Sequence, residues 1–508
     1  MRMRNSALLC LGLAATFSLV AIGDALAQKY NSRGTPTIGA SRPTGGGGYQ
    51  GGGGSRGPGW GAAIPGIIMA VPQFVPQDGP PGGGRFIDDG TVDDDQPSRP
   101  PRQKSARRGP SGAPPANERR LVPDEIVIEL RNTVSPQQIQ ALQNRHRLTR
   151  LESQVSQLSG TTLYRWRIPD RRSVATVVRA LEADNIVASA QPNYQFALQQ
   201  ATGQQTAESA GDPAQYELAK LRLPEAHVLA RGGGVKIAVI DSGVDEANAE
   251  IAGSVAENFN ALATPMASHM HGTAIAGLIA AHGKLLGAAP NAKILAVRAF
   301  DPAGASAGAE GTTFAILKGL DWAAAEGARV INMSFAGPND PAVHRALEAA
   351  HKKGIVLIAA AGNAGAKSPP LYPAADVNVI AVTATDADDK LFEQSNRGNH
   401  IALAAPGAQL LVATPDGYEM SSGTSFSAAE VSGIVGLMLE RRGDLSPAQV
   451  RGILLSTAKD LGPKGRDPLF GAGLADALAA LNAEAIPVAA APKANGKPRI
   501  ERVSTGAR

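Results

Sequence analysis

Apolar positions recur along this chain in two rhythms, and each predicts a different kind of element. Tyr164, Trp166 and Ile168 alternate with Arg165 and Arg167, which sends the apolar side chains to one face of a strand. Val174, Val177, Val178 and Leu181 follow the i, i+3, i+4, i+7 rule of an amphipathic helix. An earlier strand from Glu125 to Leu130, a helix opened by Ser135 and Pro136 and running through Leu142, a strand around Val155 and a closing strand from Ile186 to Ala190 fill in the rest. The order strand, helix, strand, strand, helix, strand over about 75 residues predicts a split βαβ, ferredoxin-like α+β unit.

Beyond residue 215 the rhythm changes. Val235 to Ile240, Ile294 to Val297, Val330 to Met333, Ile355 to Ala361 and Val379 to Thr383 are apolar runs separated by helical segments. Strands buried on both faces read this way, so the pattern predicts an α/β domain with a parallel sheet covered by helices on each side. Residues 199–215, between the two units, are small and polar and read as an exposed linker open to cleavage.

Composition takes the chain ends out of the fold. Arg2 and Arg4, an apolar run from Ala7 to Ile22 and the small-x-small sequence Ala25-Leu26-Ala27 make residues 1–27 a cleaved export signal. That run is shorter than the roughly 20 apolar residues of a membrane span, and no other stretch reaches that length, so no span is expected after cleavage. Residues 31–120 hold 21 Gly and 14 Pro, which marks 28–120 as a disordered Gly/Pro-rich segment. The folded units are then 121–198 and 216–485, followed by a basic tail, 486–508. Of the net charge of +4, the stretches 99–120 and 486–508 carry twelve Lys or Arg against two acids. The remainder is net acidic, and no nucleic-acid partner is implied. The one cysteine, Cys10, lies in the signal, so disulfides, thiolate metal sites and cysteine catalysis are excluded from the exported chain.

Ligands of open α/β sheets bind beyond the carboxyl ends of the strands, and three chemical groups stand there. Asp241 ends the first strand in Val239-Ile240-Asp241-Ser242-Gly243. His271 lies in the first turn of a helix opened by His271-Gly272-Thr273. Ser425 follows Gly423-Thr424 at the start of a long apolar helix. A serine hydroxyl becomes a nucleophile when an imidazole takes its proton, and a carboxylate must hold that imidazole in the right tautomer. Asn363, in Ala361-Gly362-Asn363 after another strand, supplies an amide donor that with the Ser425 N–H can bind an oxyanion. Asp245 reads as a turn carboxylate and His269 as a loop residue, and no third ligand makes His269 and His271 a metal pair.

The chain order Asp, His, Ser is that of subtilisin and not of chymotrypsin or the α/β-hydrolases. With Val330-Ile331-Asn332-Met333-Ser334 and Ala276-Gly277, these motifs make residues 216–485 resemble the subtilisin-type serine endopeptidases. Residues 121–198, ending in Gln191-Pro192-Asn193-Tyr194, are similar to that family's inhibitory propeptide. The resemblance implies an α/β, three-layer subtilisin-like fold with a mainly parallel sheet, and a zymogen whose own propeptide chaperones folding, fills the cleft in cis and is cut off. It also implies protein or peptide substrates bound as an added β-strand along Ser334, Ala336 and Gly337, beside a pocket with room for a medium or large apolar side chain.

The chain departs from the family pattern at several places. Phe426-Ser427-Ala428-Ala429-Glu430 replaces the usual Met-Ala-Ser-Pro-His after the nucleophile, Ala274 stands where a histidine is common, and Asn248-Ala249 replaces His-Pro. Only His282 to Leu286 remain of the loop that carries the family's strong calcium site, so the expectation is an enzyme requiring no cofactor, with a structural calcium as the open alternative. Self-cleavage is expected to give a mature chain starting between Ala197 and Tyr216, in the periplasm or outside the cell. A catalytically idle binding module of a Gly-rich envelope protein is the rival class, against which the complete set Asp241, His271 and Ser425 argues.

Overall fold

A computed structural model describes residues 111–199, 215–267, 269–302 and 309–484. The export signal, the Gly/Pro-rich stretch up to residue 110, most of the linker and the tail from 485 onward lie outside the described residues. The chain divides into units 1–100 and 101–508, and all described residues belong to the second.

The first domain has the predicted order: β1 (Leu121–Arg131), α1 (Pro136–His146), β2 (Thr149–Ser156), β3 (Thr161–Arg167), α2 (Val174–Glu182) and β4 (Val187–Leu198). Its strands lie antiparallel in the order β2-β3-β1-β4. Ser135 caps α1 through the N–H of Gln138, whose side chain returns to the Ser135 N–H, and Pro136 fits the first turn because its missing N–H has no partner to lose. Ile126 and Ile128 of β1, Trp166 of β3 and Val177, Val178 and Leu181 of α2 form one buried core. Residues 111–120, counted by composition with the disordered segment, lie on this domain. Ala113 packs on its core, and the Glu182 carboxylate accepts from Ser111 Oγ (2.7 Å) and Gly112 N (2.5 Å). These are tertiary bonds, which composition does not register.

The second domain continues with α3 (Tyr216–Lys220), α4 (Leu223–Ala226), β5 (Lys236–Asp241), β6 (Val255–Asn260), α5 (Met270–Ala280), β7 (Lys293–Arg298), β8 (Phe300–Pro302), β9 (Ala309–Thr312), α6 (Thr313–Ala325), β10 (Val330–Met333), β11 (Phe335–Ala336) and α7 (Pro341–Lys352). It ends with β12 (Val356–Ala360), β13 (Val379–Thr385), β14 (Ile401–Pro406), the hairpin β15 (Leu410–Thr414) and β16 (Gly417–Ser421), then α8 (Thr424–Arg441), α9 (Pro447–Thr457) and α10 (Ala477–Asn482). Seven parallel strands run in the order β14-β13-β12-β10-β5-β7-β6. Ile275 and Ile279 of α5 and Val431, Ile434 and Val435 of α8 cover one face, and Ile316 and Leu320 of α6 with Val343 and Leu347 of α7 cover the other. These are the three layers that the apolar runs predict. Two strands gave no such run: β6, an edge strand with Glu257 and Asn258 exposed, and β14, rich in alanine.

The first domain sits on α6 and α7 through polar side chains at the starts of those helices, where backbone N–H groups lack intrahelical partners. Asn193 Oδ1 accepts from Phe314 N (3.1 Å) in α6, and Gln191 Oε1 accepts from Ala342 N (2.9 Å) in α7. Gln191 Nε2 donates to Asp340, the cap of α7, whose carboxyl burial pushes up although four donors reach it. Farther along α6, Asp321 accepts from Ser156 Oγ (3.0 Å) and Leu158 N (2.8 Å).

Strand β4 does not stop at Ala190 as its apolar pattern suggests. It runs on to Leu198, and its last residues leave their own sheet to lie between two strands of the second domain.

Candidate active site

Three strand ends and two helix starts converge where β4 ends. Asp241 is the last residue of β5, His271 the second of α5 and Ser425 the second of α8, and all three are buried. His271 Nδ1 lies 2.8 and 3.0 Å from the two carboxylate oxygens of Asp241. That contact places the ring proton on Nδ1 and leaves the Nε2 lone pair free to accept a proton. The Asp241 carboxylate is itself held by Ser242, whose N–H and Oγ lie 2.7 and 2.9 Å from Oδ1. Close approach makes glycine necessary at 272, where a Cβ would fall 2.2 Å from the Gly243 carbonyl oxygen.

His269, expected to be a plain loop residue, caps α5: its Nδ1 accepts from the His271 N–H (3.3 Å) and lies 3.1 Å from Ser242 Oγ. Asp245 is the turn carboxylate its position suggests, accepting from Ala247 N (3.1 Å).

The Ser425 hydroxyl does not meet His271. It donates to the carbonyl oxygen of Gln199 at 2.5 Å and lies 3.2 Å from the Ser334 carbonyl, while His271 Nε2 has no hydrogen-bond partner among the described residues. A hydroxyl has one proton, and here the Gln199 carbonyl takes it. Asn363 Nδ2 donates to the same oxygen at 2.9 Å. The amide is oriented by its other end, since Oδ1 accepts from Thr424 N (3.1 Å) and Thr424 Oγ1 (2.9 Å). With two donors on Oδ1, the NH₂ must face Gln199.

Gln195 to Leu198 occupy the cleft as a strand. Phe196 pairs with Gly311 and Ala197 with Glu310 of β9, while Ala197 and Leu198 pair with Ala336 and Phe335 of β11. The Gln199 N–H extends that ladder to the Ser334 carbonyl (3.1 Å). The Phe196 ring stands edge-on to Phe335 at 5.9 Å, over Gly337, where a Cβ would fall 2.3 Å from Phe196 Cδ1. Ser334, Ala336 and Gly337 thus contact residues 196–199 of the chain itself. Next in the chain comes Gln199. Gln199 Oε1 accepts from the Asn363 N–H (2.9 Å) and its Nε2 donates to Ala197 O (3.1 Å).

Sequence patterns overlooked Gln199 itself, the Thr424 hydroxyl and the β9 wall of the cleft. Only Thr424, adjacent to Ser425, carried a signal in its position; the others depend on contacts across more than a hundred residues.

Comparison with known proteins gives the chain's relatives. The profile described as "Subtilase family" matches residues 232–473, and one described as "Fervidolysin N-terminal prodomain" matches residues 108–193. Thermitase of Thermoactinomyces vulgaris is 36% identical over 260 residues, covering 49% of this chain and 90% of thermitase. Subtilisin DY of Bacillus licheniformis is 34% identical over 246 residues, covering 46% of this chain and 86% of that protein. In fold, the chain is similar to the crystal structure of fervidolysin from Fervidobacterium pennivorans, a keratinolytic enzyme related to subtilisin. The TM-score is 0.62 at 22% identity, over 74% of this chain and 63% of that one.

Proposed function

The chain belongs to the subtilase family of serine endopeptidases and carries that family's propeptide, and from this premise we infer that it is an exported zymogen that cuts its own chain between Gln199 and Gln200. The observation that carries this reading is the Gln199 carbonyl, reached by Ser425 Oγ on one side and Asn363 Nδ2 on the other.

Ser425 is the nucleophile. Its hydroxyl turns from the Gln199 oxygen to His271 Nε2, which accepts the proton as Oγ bonds to the Gln199 carbonyl carbon. Asp241 stabilises the imidazolium from the Nδ1 side. The carbonyl oxygen becomes an alkoxide held by Asn363 Nδ2, a donor already in hydrogen-bond range before any charge develops. Collapse of this intermediate breaks the bond to the nitrogen of Gln200, which leaves with the proton from His271. Water, deprotonated by the same imidazole, then releases residue 199 as a carboxylate and restores Ser425.

The propeptide inhibits in cis before the cut and stays bound after it through the β9 and β11 ladders and the caps on α6 and α7. Other protein or peptide substrates take its place by adding a strand to Ser334, Ala336 and Gly337. No nucleic-acid partner belongs to this function, and no helix of the described residues is long and apolar enough to cross a membrane.

The reaction needs no metal. Support for a calcium-free loop at His282 to Leu286 comes from what closes it. Glu250 Oε2 accepts from Leu285 N (2.8 Å), its Oε1 accepts from the Tyr418 hydroxyl, and Gln215 uses both ends of its amide on Leu286 (3.0 and 2.9 Å). An ion that wants six to eight oxygens finds these acceptors already engaged.

Labelling of the matured enzyme with a fluorophosphonate tests the nucleophile. A covalent adduct mapped to Ser425 is expected, and an unlabelled folded protein refutes the role of Ser425.

A further inference from the structure

Asn363 is held from two sides, and only one of them faces the nucleophile. On the far side stands Asn396, fully buried before β14, whose side-chain amide and backbone N–H bond to the turn that carries Asn363. Its Nδ2 donates to Ala361 O (3.0 Å), its Oδ1 accepts from Ala364 N (2.9 Å) and its own N–H donates to Gly362 O (2.9 Å). Gly365 N adds a bond to Gln394 O (2.8 Å). The two bonds of the side-chain amide thus fall on either side of Asn363 in sequence.

The fit is close. Gly362 has φ +108°, and a Cβ there would fall 2.3 Å from Asn396 Nδ2, so the turn accepts Asn396 only because residue 362 is glycine. The site also demands an amide. One planar group must present a donor to one carbonyl and an acceptor to one N–H, which among side chains of this length asparagine does at every pH and an aspartic acid only when protonated. An aspartate has the same shape but turns an oxygen toward Ala361 O.

We propose that Asn396 is a positioning residue for the oxyanion donor: it touches no substrate, and it acts by holding residues 361–364 so that Asn363 Nδ2 points at the scissile carbonyl oxygen. The role depends on Asn363 being that donor. A preorganised donor works only while its geometry holds, and a misplacement of about 1 Å can cost on the order of 10²-fold in rate.

The test is a double-mutant cycle on the matured enzyme, each precursor cut by added wild-type enzyme that is then removed, with an internally quenched peptide of the sequence at 195–202. kcat and KM are measured for wild type, Asn396→Asp, Asn363→Leu and the double variant. Asn396→Asp should lower kcat by about 10- to 100-fold with KM changed less than about 2-fold. On the Asn363→Leu background the same substitution should cost less than about 3-fold, because the donor it positions is gone. The introduced carboxyl, buried and readily protonated, can donate to Ala361 O in its acid form, so the ratio of variant to wild-type kcat should rise as pH falls. Should Asn396→Asp not fold, Asn396→Ser must show the same non-additive loss. Unchanged kcat in the folded variant overturns the proposal, and so do losses that multiply fully in the double variant. An Asn363→Leu enzyme with undiminished kcat removes Asn363 as the oxyanion donor, and the role of Asn396 falls with it.

Discussion

The carbonyl oxygen of Gln199 lies 2.5 Å from Oγ of Ser425, and the Ser425 proton is directed to it rather than to His271. In the proposed reaction the hydroxyl must turn from this oxygen to His271 before it attacks. His271 Nε2, the proposed proton acceptor, has no partner among the described residues.

Asn363→Leu removes the donor to the developing alkoxide while leaving the β9 and β11 ladders intact. kcat is expected to fall by about 10² to 10³ with little change in KM, a range set by the equivalent loss in subtilisin. Steady-state kinetics on a peptide substrate decide it; unchanged kcat excludes Asn363 from the reaction.

The layered fold was legible because its cause is local. Every position of β10 and β12 is buried, so their apolar runs stand out, and the α2 spacing carries its own helix signal. Asp241, His271, Ser425 and Asn363 stood out in the sequence because each follows a recognisable strand or opens a recognisable helix. The end of β4 was not legible. Residues 196–198 pair with β9 and β11, far away in sequence, so nothing in their neighbours marks them as a strand. Asn396 was missed for the same reason, since an asparagine in a loop looks alike whether it faces water or clamps a turn.

Gly337→Ala tests the cleft from the substrate side. Its Cβ would collide with the Phe196 ring, and overpacking of this kind costs about 1 to 3 kcal/mol. Hydrolysis of the 195–202 peptide should slow by about 5- to 100-fold in kcat/KM. The same peptide with alanine for Phe196 should lose much less. Equal losses for both peptides would place the effect elsewhere than at the ring.

Chelation with EGTA should shift the melting temperature by less than about 2 °C, because a ligand that does not bind cannot stabilise the native state by mass action. A drop of about 10 °C or more would reveal a tight calcium site.

Glu430, buried in α8 five residues beyond Ser425, has its carboxyl pushed well above the usual range by burial and by the nearby Glu217. A raised acid pKa means that the folded state keeps a proton the unfolded chain has lost. The fold is then unpenalised below the ordinary glutamate range and loses stability as pH rises through the interval up to the folded value, by at most about 1.4 kcal/mol per pH unit. Glu430→Gln should therefore raise the melting temperature, and the gain should grow with pH from about 5 upward. Melting curves at several pH values check the slope, and a gain independent of pH would refute the ionisation as its cause.

Intact mass and amino-terminal sequencing of wild type and Ser425→Ala, both purified from a protease-deficient host, test self-cleavage most directly. Wild type should yield a mature chain beginning at Gln200, with a propeptide fragment ending at Gln199. Ser425→Ala loses only one oxygen atom, so it should fold and accumulate uncut. A Ser425→Ala chain that matures at the wild-type rate, or a wild-type chain whose first cut falls away from Gln199, contradicts it.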